Sequence, residues 1–319
     1  MKKTNHKAVH KEDIYRIPRK PACPVVILDF RVIVHEINRY FEGACTTLGL
    51  DPFDPLTLRN PKLKQWLIDS WVIRINRGID MLDWEPMRVI AVSDSKPYWR
   101  SVVCRKIGLE AYKGGRKKDL TGTLELIDRA GRATLAAYGI PYFSQRLFEA
   151  DDWAGAAYRV KVHGAPGADE LTGPVAVMPD RVMFLVTIDG DWQQLVRDDH
   201  EILWCNTGPR AWGPRLRGEL EVRNHCLAKL KQSLKHPQEM AAAKARVGDA
   251  GDNLLIGSPI QLYDLIHRFP KPRYQVERVS SFNDFVAELI NPEPNTCKDT
   301  LDSVTANILK QGLPINLRG

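Results

Sequence analysis

Val182-Met-Phe-Leu-Val-Thr-Ile-Asp189-Gly-Asp191 decides how this chain folds. Seven apolar or β-branched residues end abruptly on two acids. A run apolar at every position, not at alternate ones, belongs to a strand buried on both faces, as in a parallel sheet covered by helices. Working outward, Pro24-Val-Val-Ile-Leu-Asp29 and Met87-Arg-Val-Ile-Ala-Val-Ser-Asp94 repeat the pattern, each run closing on an Asp. Open α/β sheets bind ligands outside the carboxyl ends of their strands. The acids would therefore collect at one edge and repel one another unless cations lie between them. Oxygen-only donors of this kind suit magnesium, or manganese in its place, better than zinc.

Two further clusters extend the set. Glu149-Ala-Asp151-Asp152 opens a helix, where one Asp would serve as an ordinary cap. Three acids in four residues exceed what a cap requires, because helix-end placement returns only about 0.3–1 kcal/mol per charge. Gly248-Asp249-Ala-Gly-Asp252-Asn253 sets acids three apart in a Gly-punctuated turn, so both can face one point. Taken alone, this segment and Asp189-Gly-Asp191 are turn signals.

At 319 residues and 36.2 kDa the chain can bury a large core. Between its strands, apolar spacing predicts helices over 32–48, 63–79 and 120–138, another from Asp151 or Asp152, and short strands at Tyr142-Phe143 and 201–205. The stretches 162–179 and 206–218, rich in Gly and Pro, predict loops. From 219 onward the periodicity is helical: 219–234, 237–247, 259–267, 281–290 and 297–309. The organisation expected is a basic extension over 1–23, an α/β core over 24–218 and a helical region over 219–319.

Net charge is +7. With nine acids gathered in one place the remaining surface must be more basic still, which points to a polyanion, most simply nucleic acid. Tyr112-Lys113-Gly-Gly-Arg116-Lys117-Lys118 interleaves an aromatic ring with cations before a helix, a pattern suited to phosphate contact and base stacking, although such a run is also a common solvated face. The six cysteines form no C-x-x-C pair and predict reduced, mostly buried thiols of a cytoplasmic protein. No stretch approaches a membrane span in length.

Taken in order, these motifs resemble the 5′ nuclease superfamily of flap endonucleases, polymerase-linked 5′ nucleases and phage 5′ exonucleases, from about Val25 to Asn253. The likeness rests on Asp29; on Asp94-Ser-Lys-Pro-Tyr-Trp-Arg100; on Tyr112, Lys113 and Arg116; on Glu149 to Asp152; on Asp189-Gly-Asp191; and on Gly248 to Asn253. Thr187 to Trp192 and Leu203 to Gly208 look most like the phage branch.

The resemblance implies a PIN-like, Rossmann-type sheet followed by a degenerate helix-three-turn-helix. It implies two metal ions about 3.5–4 Å apart clamping a phosphodiester. Asp94, Glu149, Asp151 and Asp152 would hold one, with Asp29 close by, and Asp189, Asp191, Asp249 and Asp252 the other. Lys113 and Arg116 would steady the phosphate, and Arg100, Tyr112, Lys117 and Asn253 would contact nucleic acid. The implied partner is DNA with 5′ ends, flaps or nicks, or an RNA-DNA hybrid, bound by a monomer in the cytoplasm, that of a host if the source is a phage.

The family's Gly-rich hairpin has only Gly257 as counterpart in Leu254-Leu-Ile-Gly257-Ser-Pro, so potassium binding is not expected to carry over. Two other readings stay open at this stage. A PIN-like ribonuclease would share the sheet but needs about four acids. A non-catalytic nucleic-acid scaffold would be marked by acids replaced with neutral residues, and none of the nine is replaced.

Overall fold

The computed structural model describes residues 23–52, 54, 57–80, 82, 87–106, 122–164, 181–206, 216–249, 254 and 279–295. A six-stranded sheet organises them: β1 (Val25–Asp29), β2 (Arg88–Val92), β3 (Tyr142–Phe143), β4 (Met183–Val186), β5 (Ile202–Cys205) and β6 (Leu216–Arg217). The strand order is β3-β2-β1-β4-β5-β6. All neighbours are parallel except β5 and β6. This is a mostly parallel, helix-flanked α/β sheet, as expected.

Eight helices flank it: α1 (Phe30–Thr47), α2 (Pro61–Asp80), α3 (Trp99–Lys106), α4 (Thr123–Ala137), α5 (Ala150–His163), α6 (Glu219–Leu230), α7 (Met240–Val247) and α8 (Phe282–Ile290). Side chains alternate across the pleat, so each strand feeds two cores. Val26, Leu28, Val89, Ala91, Phe184 and Val186 face α1, α2 and α4. Val25, Ile27, Ile90, Val92, Met183 and Leu185 face α5, α6, α7 and α8. The described helices after residue 218, α6, α7 and α8, thus share the sheet's core, with Phe285 of α8 packed edge-on against Phe143 and Trp153 at 5.1 and 5.0 Å.

The C-terminal segment is tied to the amino ends of the strands. Arg181, just before β4, donates to the carbonyls of Leu289 and Asn291 at 3.2 and 2.8 Å, and Asn295 exchanges two 2.8 Å hydrogen bonds with the backbone of Val89.

Several elements differ from the sequence reading. Helix α5 is capped by Glu149 and begins at Ala150, one residue before the acids expected to start it. Helix α3 and strand β6 were not expected. Asp189 leads into a 3-10 turn, Gly190–Leu195, that buries Trp192 and Leu195, and the helix predicted over 237–247 opens with a 3-10 turn at Pro237–Glu239. The helices predicted at 259–267 and 297–309 lie outside the described residues.

Close packing behind the site is set at Gly131 of α4. A Cβ there would stand 2.2 to 2.7 Å from three atoms of the Trp71 ring, which is fully buried, donates to the Ile127 carbonyl at 2.9 Å and stacks on Phe30 at 4.7 Å. Gly131→Ala is therefore expected to lower stability by about 1–3 kcal/mol through overpacking, read from the urea midpoint.

Candidate metal centre

The topology brings the acids together. Because the chain builds β1, β2 and β3 outward in one direction and then returns to place β4 on the other side of β1, the sheet has its switch point between β1 and β4. Asp29 ends β1, Asp94 lies just past β2 and Asp189 just past β4, while Glu149, Asp151 and Asp152 arrive at the start of α5 after β3.

Hydrogen bonds link these groups. The hydroxyl of Thr187 donates to Asp29 at 2.7 Å and accepts from the amide of Asp189 at 2.9 Å. The amide of Ala150 donates to Asp94 at 2.8 Å. Trp192 Nε1 donates to Asp151 at 2.8 Å, joining the turn after β4 to the start of α5. Trp99 Nε1 donates to Asp152 Oδ2 at 3.1 Å, and the same oxygen accepts from the amide of Glu149 at 2.9 Å.

Among the described residues, Arg100 and Lys244 pair with acids of the cluster. Arg100, 1% exposed, pairs with Glu149, with Asp152 at 2.9 Å and with Asp151 at 3.4 Å. Lys244 of α7 bridges Asp191 and Asp249, the latter at 2.7 Å. Among the described residues no three His, Cys, Asp or Glu side chains are grouped to hold one metal ion. Glu149, Asp151 and Asp152 meet Arg100 instead, and Asp191 and Asp249 meet Lys244.

The electrostatics are those of crowded, desolvated carboxylates. Burial, reinforced by the charge of Asp94, raises Asp29 from 3.8 to about 7 against the hydrogen bond from Thr187. Asp151 is also raised well above the usual range by burial, with Arg100 opposing and Asp189, Glu149 and Asp94 adding to the shift. Burial raises Asp152 too, again against Arg100. Burial works against the charge of Lys244, yet Asp191 and Asp249 outweigh it and hold the ammonium above its ordinary pKa.

These shifts fix a sign. A carboxyl that ionises near 4 when unfolded and near 7 when folded stabilises the fold most at low pH, and that contribution is lost as pH rises through 7. The metal-free protein should therefore have a higher urea midpoint at pH 5.5 than at pH 8, with Asp29 alone contributing on the order of 2 kcal/mol across the window. Added magnesium at pH 8 should recover much of the loss. A midpoint insensitive to both pH and metal would contradict this picture.

Eight of the nine sequence-predicted acids lie among the described residues and are joined in this network. Asp252, Tyr112, Lys113, Arg116, Lys117 and Asn253 lie outside them. Arg100, expected to contact nucleic acid, is buried and paired with three carboxylates. Sequence reasoning missed Lys244, whose signal was a lone Lys in an Ala-rich helix five residues before Asp249. It also missed the orienting roles of Thr187, Trp99 and Trp192.

The solved structures to which the chain is similar include 5′ nucleases. One is the 5′-exonuclease of phage T5 with bound zinc, at TM-score 0.45 and 16% identity over 90% of this chain and 98% of that one. Another is the T5 D15 flap endonuclease in a pseudo-enzyme-product complex with DNA and metal ions, at TM-score 0.44 and 17% identity over the same shares. The catalytic core of Rad2 in complex with DNA substrate follows at TM-score 0.39 and 13% identity, over 91% and 88%. No protein-family model and no curated protein matches the chain. Among the described residues no helix is long and apolar enough to cross a membrane.

Proposed function

We propose that this chain is a metal-dependent 5′ nuclease that hydrolyses phosphodiester bonds of DNA from 5′ ends, a 5′ to 3′ exonuclease for which flap cutting and RNA-primer removal are the related activities to assay. The carrying observation is the delivery of acids from five separate segments to one sheet edge, with oxygen donors only. That donor set fits magnesium, with manganese able to substitute. Glu149, Asp151, Asp152 and Asp94 would hold one ion beside Asp29, and Asp189, Asp191 and Asp249, with Asp252, the other. When bound, such ions activate water and neutralise the leaving oxygen.

The chain's own groups prepare the site. Thr187, Trp99 and Trp192 hold the carboxylates of Asp29, Asp152 and Asp151, while Arg100 and Lys244 offset part of the repulsion between closely spaced acids. Lys113 and Arg116 would steady charge on the phosphate. The basic surface left once the acids are gathered would hold DNA.

The test is incubation of a 5′-labelled flap and a nicked duplex with magnesium, beside a chelator control and an RNA strand. Magnesium-dependent 5′ products from DNA support the proposal, and their lengths separate flap cutting from trimming. Cleavage of RNA alone would favour the ribonuclease reading, and DNA retarded on a gel but left intact the scaffold.

A further inference from the structure

A cleft of about 320 Å³ opens between α1 and α2, away from the acids. Its walls are Glu36, Arg39, Tyr40, Trp66, Arg74 and Arg77, together with Ser70. A narrower cavity shares Glu36, Arg74 and Arg77 and runs inward to Asp29 and to Val186 at the end of β4. The cleft is thus lined with cations where the metal centre is lined with anions, and the narrower cavity lies between it and Asp29.

Its residues are arranged for a ligand that is both anionic and flat. Arg74 lies over the Tyr40 ring at 5.5 Å and is held by Glu36 at 3.6 Å and by the Ser70 carbonyl at 3.2 Å. Tyr40 is nonetheless 55% exposed, which leaves ring surface free for stacking. Three guanidiniums surround the single carboxylate of Glu36, so the cleft keeps a net positive charge. Guanidinium on phosphate and aromatic ring on base are how nucleotides of an unpaired strand are gripped.

We propose that this cleft is a second contact surface for the DNA substrate, seating one nucleotide near the cut, with Arg39 and Arg77 on its phosphate and Tyr40 and Trp66 against its base. The proposal rests on the nuclease reading for the identity of the ligand, but its test does not require cleavage.

A fluorescein-labelled 5′-flap DNA carrying 5-iododeoxyuridine at successive positions around the junction is bound in calcium, by wild type, by Arg39→Gln/Arg77→Gln and by Tyr40→Leu/Trp66→Leu. The arginine double variant should bind about tenfold more weakly at about 0.1 M salt, with the slope of log affinity against log salt reduced by about 2. Irradiation should cross-link wild type through Tyr40 or Trp66 at one or two adjacent nucleotides, and the aromatic double variant should lose that product while keeping the salt slope. Unchanged affinity and slope, or cross-links confined to other peptides, would overturn the proposal. If wild type shows these features but never cleaves with magnesium, the cleft stands and the nuclease reading falls. If wild type cleaves and both variants bind like wild type, the cleft proposal falls alone.

Discussion

Asp191→Asn is expected to lower magnesium-dependent cleavage of a 5′-flap DNA by about 10³-fold or more, corresponding to about 4 kcal/mol of lost transition-state stabilisation. Asp191 is 8% exposed, its amide is held by Asp189 at 2.9 Å and its carboxylate is bridged through Lys244 to Asp249. The amide is nearly isosteric, so the turn and the Trp192 packing should persist while one negative oxygen is lost. Asp199→Asn is the matched control: that carboxylate is 59% exposed, pairs with Arg197 at 2.6 Å and lies outside the acid network. Cleavage measured on equal folded concentrations should leave the control within about twofold of wild type. Equal loss in both variants, or none in Asp191→Asn, would remove Asp191 from the proposed centre.

The second large effect concerns Arg100. Removing one member of a buried ion-paired group leaves uncompensated charge and costs about 3–5 kcal/mol. Arg100→Gln leaves Glu149, Asp151 and Asp152 facing one another in a pocket whose carboxyls are already raised by burial. In chelator the variant should lose most of that amount in urea unfolding, with a larger deficit at pH 8 than at pH 5.5, because protonated carboxyls no longer repel. Magnesium should return part of the stability, since a divalent ion supplies the charge that was removed. A deficit independent of pH and metal would mean that Arg100 acts through packing alone.

Much of this was legible in the sequence because the central strands are buried on both faces. Nothing polar interrupts Val25–Leu28, Val89–Val92 or Val182–Val186, and the first polar residues beyond them define the edge. The acids could be grouped from the order of strands, but their partners could not. Helix α3 was missed because Trp99–Lys106 is only eight residues with three basic side chains, and burial of one of these, Arg100, depends on acids about fifty residues away. A fully buried Arg is rare unless paired, and pairing at that distance leaves no local periodicity. Lys244 was hidden for the same reason. Strand β6 is two residues inside a Gly, Pro and Arg-rich stretch, and gains its place only by pairing with β5.

The cationic side chains also give the metal-free site a definite form. Acids this close would otherwise protonate or push the strand ends apart. Arg100 and Lys244 oppose that repulsion and keep the carboxyls gathered, and Lys244, reaching from α7, ties that helix to the sheet edge.

The most direct test is anomalous diffraction from crystals of the protein soaked in manganese. The account predicts two manganese peaks, one among Glu149, Asp151, Asp152 and Asp94 and one among Asp189, Asp191 and Asp249, with the Lys244 ammonium displaced from Asp191. An edge that takes up no manganese, with Lys244 still bridging Asp191 and Asp249, would contradict it.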